Sequence, residues 1–180
     1  MAETTDETAE PLDPVALLEV LLRHQVRFVV IGGIAAISHG YPLPTEDVDV
    51  TPARDRENLE RLARALLELG ARLRSASDAT GVPFPIDADM LRRADSWTLR
   101  TRLGDLDIVF VPAGTQGFDD LSADAVLTDL GTTRPVRVLI ASLADVIRSK
   151  EAANREKDRA QLPALRRTLE ILRERQRRAE

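Results

Sequence analysis

With 180 residues, 43% of them apolar and 31% charged, the chain has the make-up of a globular protein of one domain, long enough to bury a substantial core. The absence of cysteine and the 3% aromatic content exclude disulfides, thiolate metal sites and a cysteine nucleophile, and leave Leu, Val, Ile and Ala to fill the interior. The formal charge of −5 is matched by Glu3, Asp6, Glu7, Glu10 and Asp13 alone, so residues 1–12 read as a disordered acidic tail. No apolar run approaches the ~20 residues of a membrane helix. Nor does the acidic N-terminus have the form of a secretory signal, and the expected location is cytoplasmic, with no membrane partner.

Asp13-Pro14 pairs a capping residue with a first-turn Pro and opens a helix to about His24. Val26–Ile31 is a short, β-branched apolar run, the pattern of a buried strand. It leads into Gly32-Gly33 and a short helix from Ile34 to His39, closed by Gly40. Pro42 and Pro44 keep the next residues extended. Asp47–Thr51 alternates polar and apolar as a half-buried strand does, and Pro52 ends it. Arg54–Leu69 is the clearest amphipathic helix, with Leu59, Leu62, Ala63, Leu66 and Leu67 on one side and Gly70 as its stop. Ala71–Arg74 reads as a strand, residues 75–86 as a loop, and Asp87 as the cap of a short helix to Arg93. Trp97–Leu103 and Leu106–Val111 form a hairpin turning at Gly104-Asp105. Val136–Ile140 is a further strand. Ser142 caps a helix to about Ala153, and Pro163 opens a last helix to about Arg178.

This order predicts an α/β fold of the α+β kind, a mixed sheet flanked by helices. Residues 13–140 form the core domain and residues 141–180 are C-terminal helices packed on it.

Chemistry concentrates on one strand. Asp47 and Asp49 lie at i and i+2, so their side chains share a face ~6.6 Å apart, while Val48 and Val50 turn to the core. Two neighbouring carboxylates repel unless a cation lies between them. Mg²⁺ or Mn²⁺, hard ions held by one or two carboxylates plus substrate phosphates, suit that geometry. The predicted hairpin offers a third carboxylate, and spacing alone does not choose between Asp105 and Asp107. Upstream, Gly32-Gly33 follows a strand and opens a helix, where backbone N–H groups can face an anion. Only two of 25 basic residues are Lys, Lys150 and Lys157. At a spacing of seven on a helix the two would share a face, where an ammonium can meet the charge of a leaving pyrophosphate.

The run Val29-Val30-Ile31-Gly32-Gly33…Thr45-Glu46-Asp47-Val48-Asp49 resembles the signature of the polymerase-β-like nucleotidyltransferases. From about Val15 to Leu169 the chain resembles the AbiEii/MenT-type toxins of bacterial toxin–antitoxin and phage-defence systems. The added matches are Arg54-Asp55-Arg56-Glu57-Asn58-Leu59, Gly104-Asp105-Leu106-Asp107 and Ile147-Arg148-Ser149-Lys150…Lys157-Asp158. The resemblance implies that Gly32 and Gly33 cradle a nucleoside triphosphate. It implies that Asp47, Asp49 and Asp107 bind the metal, with Asp107 also the base, that Lys150 contacts the triphosphate, and that Lys157 and Asp158 support the site. It implies transfer of NMP from an NTP to an RNA acceptor, the tRNA 3′ end in characterised toxins, restrained by a cognate antitoxin. Some relatives are silenced by phosphorylation of the residue corresponding to Thr45. The pattern departs at Leu43, where relatives often carry Arg.

The remaining candidates read as structural: His39 as a surface or structural residue, and Tyr41 and Trp97 as core aromatics rather than base-stacking ones. Arg92, Arg93, Arg100, Arg102 and the Arg-rich last helix offer contact to an RNA backbone by charge and shape. No Ser-His-Asp spacing, P-loop or zinc-ligand pattern is present.

Overall fold

The computed structural model describes residues 11–179; the expected acidic tail, except for Pro11 and Leu12, lies outside them. Asp13 caps α1 (Pro14–Arg23) by accepting from the Ala16 N–H, Asp55 caps α3 (Arg56–Glu68), and Asp87 caps the single-turn α4 (Ala88–Leu91). In each case a carboxylate satisfies an otherwise unpaired first-turn donor. Between them run β1 (Phe28–Ile31), α2 (Gly32–Ser38), β2 (Asp47–Pro52) and β3 (Arg72–Leu73). They are followed by β4 (Ser96–Thr101), β5 (Gly104–Val109), α5 (Phe118–Ala123), β6 (Val126–Asp129), β7 (Arg137–Ile140), α6 (Leu143–Ala153) and α7 (Glu156–Ala179).

The strands form one mixed sheet in the order β3-β4-β5-β2-β1-β7-β6, with β2 in the middle. It runs antiparallel to β1 and parallel to β5. One core joins Leu17, Leu18 and Leu21 of α1 and Leu59, Leu62 and Leu66 of α3 to Val48 and Val50 of β2 and Leu106 and Ile108 of β5. Asn58, buried in the first turn of α3, exchanges both hydrogen bonds with the Arg27 backbone and donates to Ala53 O at 2.7 Å. That locks the helix start to the ends of β1 and β2. Among the described residues no helix is long and apolar enough to cross a membrane.

The fold class matches the expectation, while three local readings are corrected. The hairpin turn is Arg102–Leu103 rather than Gly104-Asp105, because Thr101 and Gly104 are directly paired. The Thr101 hydroxyl donates to Gly104 O at 2.7 Å and accepts from the Leu103 N–H, closing the turn two residues earlier. The last helix starts at Glu156, with Pro163 inside it. The break before it is instead made by Asn154 in the left-handed conformation (φ 49°). Finally, α5 and β6 were not anticipated. One has six residues, and the other is an edge strand with no buried position, so neither carries the periodic burial that marks an element in sequence.

Candidate active site

The site begins with register. Asp47 pairs with Asp105 and Asp49 with Asp107 across the parallel β2–β5 ladder, so four carboxylates share one face. Val48 and Val50, with Leu106 and Ile108, fill the other. Three of the four, Asp47, Asp49 and Asp107, bring carboxylate oxygens within 4.8 Å of one another. The cluster opens on a cleft of about 460 Å³, within the range of small-molecule sites.

Burial and mutual repulsion together shift the acidity of the cluster. The Asp49 carboxyl is pushed up to about 7, first by burial, then by Asp47 and Asp107, while the Gly33 backbone N–H and Lys150 pull the other way. Burial also raises Asp107, against the attraction of Arg74. At Asp105 burial is outweighed by hydrogen bonds from Arg100 and Arg74, which hold the carboxyl below its usual range. A half-buried, all-oxygen donor set whose like charge is only partly offset by Arg74 and Lys150 fits a hard divalent cation such as Mg²⁺ or Mn²⁺. The residues present therefore suit that group.

The two glycines have a steric reason. Pairing of Ile31 with Asp49 sets the start of α2 against the Asp49 side chain. A Cβ on Gly32 (φ +61°) would lie 2.1 Å from Asp49 Oδ2, and one on Gly33 would lie 2.4 Å from Thr45 Oγ1. The space they leave is thus taken by the chain's own Asp49 and Thr45. The Thr45 hydroxyl donates to Asp47 Oδ1 at 3.1 Å, tying the turn before β2 to the first carboxylate.

The opposite wall is cationic. Lys150 of α6, Arg155 in the α6–α7 junction and Lys157 of α7 all line the cleft. Asp158 is fully buried and accepts from Lys150 Nζ at 3.2 Å and Arg155 Nε at 2.6 Å. Burial would raise its carboxyl, but the bonds from Arg155 and Lys150 hold it low. The sequence reading placed Lys150 and Lys157 on one helix face. They belong to two helices, and it is the turn at Asn154 that brings both to the cleft.

Of the residues to which the resemblance gives a role in the site, Gly32, Gly33, Thr45, Asp47, Asp49, Asp107, Lys150 and Lys157 line the cleft, and Asp158 stands behind it, holding Lys150. Sequence reasoning missed Arg155, which lies in an interhelical turn without periodic signal, and Arg74, whose guanidinium bonds both Asp105 and Asp107. Nothing local marks either. Leu43, the position where the sequence pattern departs, lines the cleft as an exposed apolar side chain. His39 meets Ala141 O at 2.8 Å through Nε2. Trp97 stacks on Phe84 and donates to Leu91 O, and Tyr41 is buried in the core at the cleft wall. Arg100 and Arg102, proposed as RNA contacts, are engaged with Asp105 and with Glu68.

No protein-family model matches the chain, and no protein of curated function does. Among solved structures the chain is similar to the lincomycin-bound lincosamide antibiotic adenylyltransferase LnuA, with a TM-score of 0.52 and 12% identity over 87% of this chain and 98% of that one. It is also similar to the antibiotic-resistance factor ANT(2'')-Ia, with a TM-score of 0.49 and 17% identity over 92% and 91%. A third likeness is to the protein TM1012 from Thermotoga maritima, with a TM-score of 0.48 and 15% identity over 90% and 97%. The architecture is that of the nucleotidyltransferase fold, an inference carried by the first of these likenesses.

Proposed function

We propose that the chain is a divalent-cation-dependent nucleotidyltransferase of the AbiEii/MenT type, moving NMP from an NTP to an RNA acceptor, the tRNA 3′ end foremost, as the toxin of a toxin–antitoxin pair. The observation that supports transfer is the convergence of Asp47, Asp49 and Asp107 within 4.8 Å across a cleft from Lys150, Arg155 and Lys157. Acids that gather cations and cations that meet phosphates face each other over a space suited to a nucleotide.

In this reading Asp47, Asp49 and Asp107 hold Mg²⁺ or Mn²⁺, which supplies charge neutralisation for the triphosphate. The Gly32-Gly33 backbone and Thr45 border the phosphates, and Lys150, held by Asp158, meets the charge that develops on pyrophosphate, with Lys157 beside it. The acceptor hydroxyl oxygen forms a bond to the α-phosphorus. The bond from that phosphorus to the bridging oxygen breaks, pyrophosphate leaves, and the hydroxyl proton passes to Asp107. Catalysis rests on positioning and charge, not on a covalent enzyme intermediate. The domain reading accompanies it: a core to residue 140 carrying the acids and, from residue 141, the helices carrying the ammoniums.

A second reading keeps the chemistry and exchanges the acceptor for a small-molecule hydroxyl. The likeness to LnuA, described as a lincosamide antibiotic adenylyltransferase, favours it. Incubation with each α-labelled NTP, Mg²⁺ and either tRNA or lincomycin separates the two. Label that enters RNA and is released by RNase supports the toxin reading, whereas label confined to the drug supports the other. Asp49→Ala and Lys150→Ala are expected to abolish labelling; wild-type labelling in both variants would refute the site.

A further inference from the structure

Arg74 is the basic side chain in direct contact with the acidic cluster. It follows the last residue of β3, and its N–H donates to Thr98 O at 2.9 Å, which brings the side chain over the face that carries Asp105 and Asp107. One arm of the guanidinium, Nη1, donates to Asp105 Oδ2 at 2.9 Å. The other, Nη2, faces both oxygens of Asp107 at 2.9 and 3.2 Å. Asp105 is fixed in turn by Arg100 Nε at 3.2 Å, and Arg100 is tied to Ala79 O.

Strand geometry directs the Asp107 Cβ toward the cluster but does not fix the rotation of its carboxylate, a broad and roughly two-fold torsion. A planar fork anchored at its far end does fix it. Asp105, on the same strand and the same face, belongs to no cation-binding cluster among the described residues and spends its oxygens on two arginines. We propose that Arg74 is a positioning residue that sets the Asp107 carboxylate against Asp47 and Asp49, and that Asp105 serves the site as the anchor of Arg74. The inference rests on reading the cluster as a cation-binding transferase site.

The competing account is charge balance, in which any cation at position 74 suffices. Arg74→Lys separates them, since the charge is kept and the fork is lost. Calorimetric titration of the nucleotide-free protein with Mn²⁺ is the direct readout. Loss of a residue that orients a metal ligand costs about 10- to 100-fold in affinity, so Arg74→Lys is expected to bind Mn²⁺ about tenfold more weakly at an unchanged melting temperature. Asp105→Asn is expected to weaken binding by a smaller factor in the wild-type background and by none on top of Arg74→Lys. In transfer assays kcat falls with the affinity while KM for the NTP stays near wild type.

Wild-type Mn²⁺ affinity in Arg74→Lys overturns the proposal, as does an Asp105→Asn loss of equal size in both backgrounds. If Arg74→Lys does not fold, Asp105→Asn alone decides, and unchanged Mn²⁺ binding overturns it. A wild-type protein that binds Mn²⁺ but transfers no nucleotide defeats the functional reading and leaves the Arg74 comparison standing. A wild-type protein that binds no Mn²⁺ defeats both.

Discussion

The two walls of the cleft gather charge in opposite ways. On the sheet wall Asp47, Asp49 and Asp107 are held together by register although they repel, and the cost is visible in an Asp49 carboxyl raised to about 7 by burial and by its neighbours. On the helical wall the one buried carboxylate is answered twice: the fully buried Asp158 is paired with Lys150 and Arg155. The sheet wall therefore stores an unfavourable interaction that a divalent cation relieves. The helical wall keeps its buried carboxylate paired without a ligand, with an excess of positive charge facing the cleft. Stability and cation binding are opposed on one side of the cleft and independent on the other.

The sharpest test sets one substitution against the other. Asp49→Asn is expected to lower transfer by at least about 10³-fold, the scale of losing a key electrostatic group, and to abolish cation binding. It should nonetheless raise the melting temperature of the nucleotide-free protein near pH 8. Asp158→Asn is expected to lower both. Removing one partner of a buried pair costs about 3–5 kcal/mol, or on the order of 10 °C in a chain of this size. Differential scanning calorimetry reads both, and melting shifts of the same sign would break the contrast.

The pH response follows from the same opposition. A carboxyl raised on folding stabilises the fold fully below its unfolded value of about 3.9, and that contribution is lost as pH climbs through about 7. Asp49 thus makes the nucleotide-free protein less stable from about pH 5 to pH 8. Asp158, lowered on folding, contributes throughout that range and is lost only below about pH 4. The melting temperature should fall with rising pH in wild type and in Asp158→Asn, and the fall should flatten in Asp49→Asn. Mg²⁺ must displace the Asp49 proton, so its stabilising shift should grow from about pH 6 to pH 8. A cation shift independent of pH would contradict the assignment of Asp49.

The smallest effect concerns the glycine that lets the sheet wall close. Gly32→Ala must accept φ +61° and a Cβ 2.1 Å from Asp49 Oδ2. Strain of this kind costs about 1–3 kcal/mol. Because the displaced atom is a cation ligand, Mn²⁺ affinity is expected to fall with it. Loss of stability with unchanged Mn²⁺ affinity would show that Asp49 moves aside without consequence.

Much of the frame was readable from local pattern: the caps at Asp13, Asp87 and Ser142, the amphipathic α3, and the alternation that sends Asp47 and Asp49 one way and Val48 and Val50 the other. Those features depend on spacing along one element, and the chain carries them in residues a few positions apart. The choice between Asp105 and Asp107 was not readable from spacing, since both face the same side of β5. It follows from the pairing of Asp49 with Asp107 and from the arginines that occupy Asp105. Arg74 meets Asp107 across 33 positions of sequence, and Lys157 reaches the cleft because the chain turns at Asn154. Periodicity tells which way a side chain points from its own strand or helix. Which distant side chain it meets there is decided only when the elements pack.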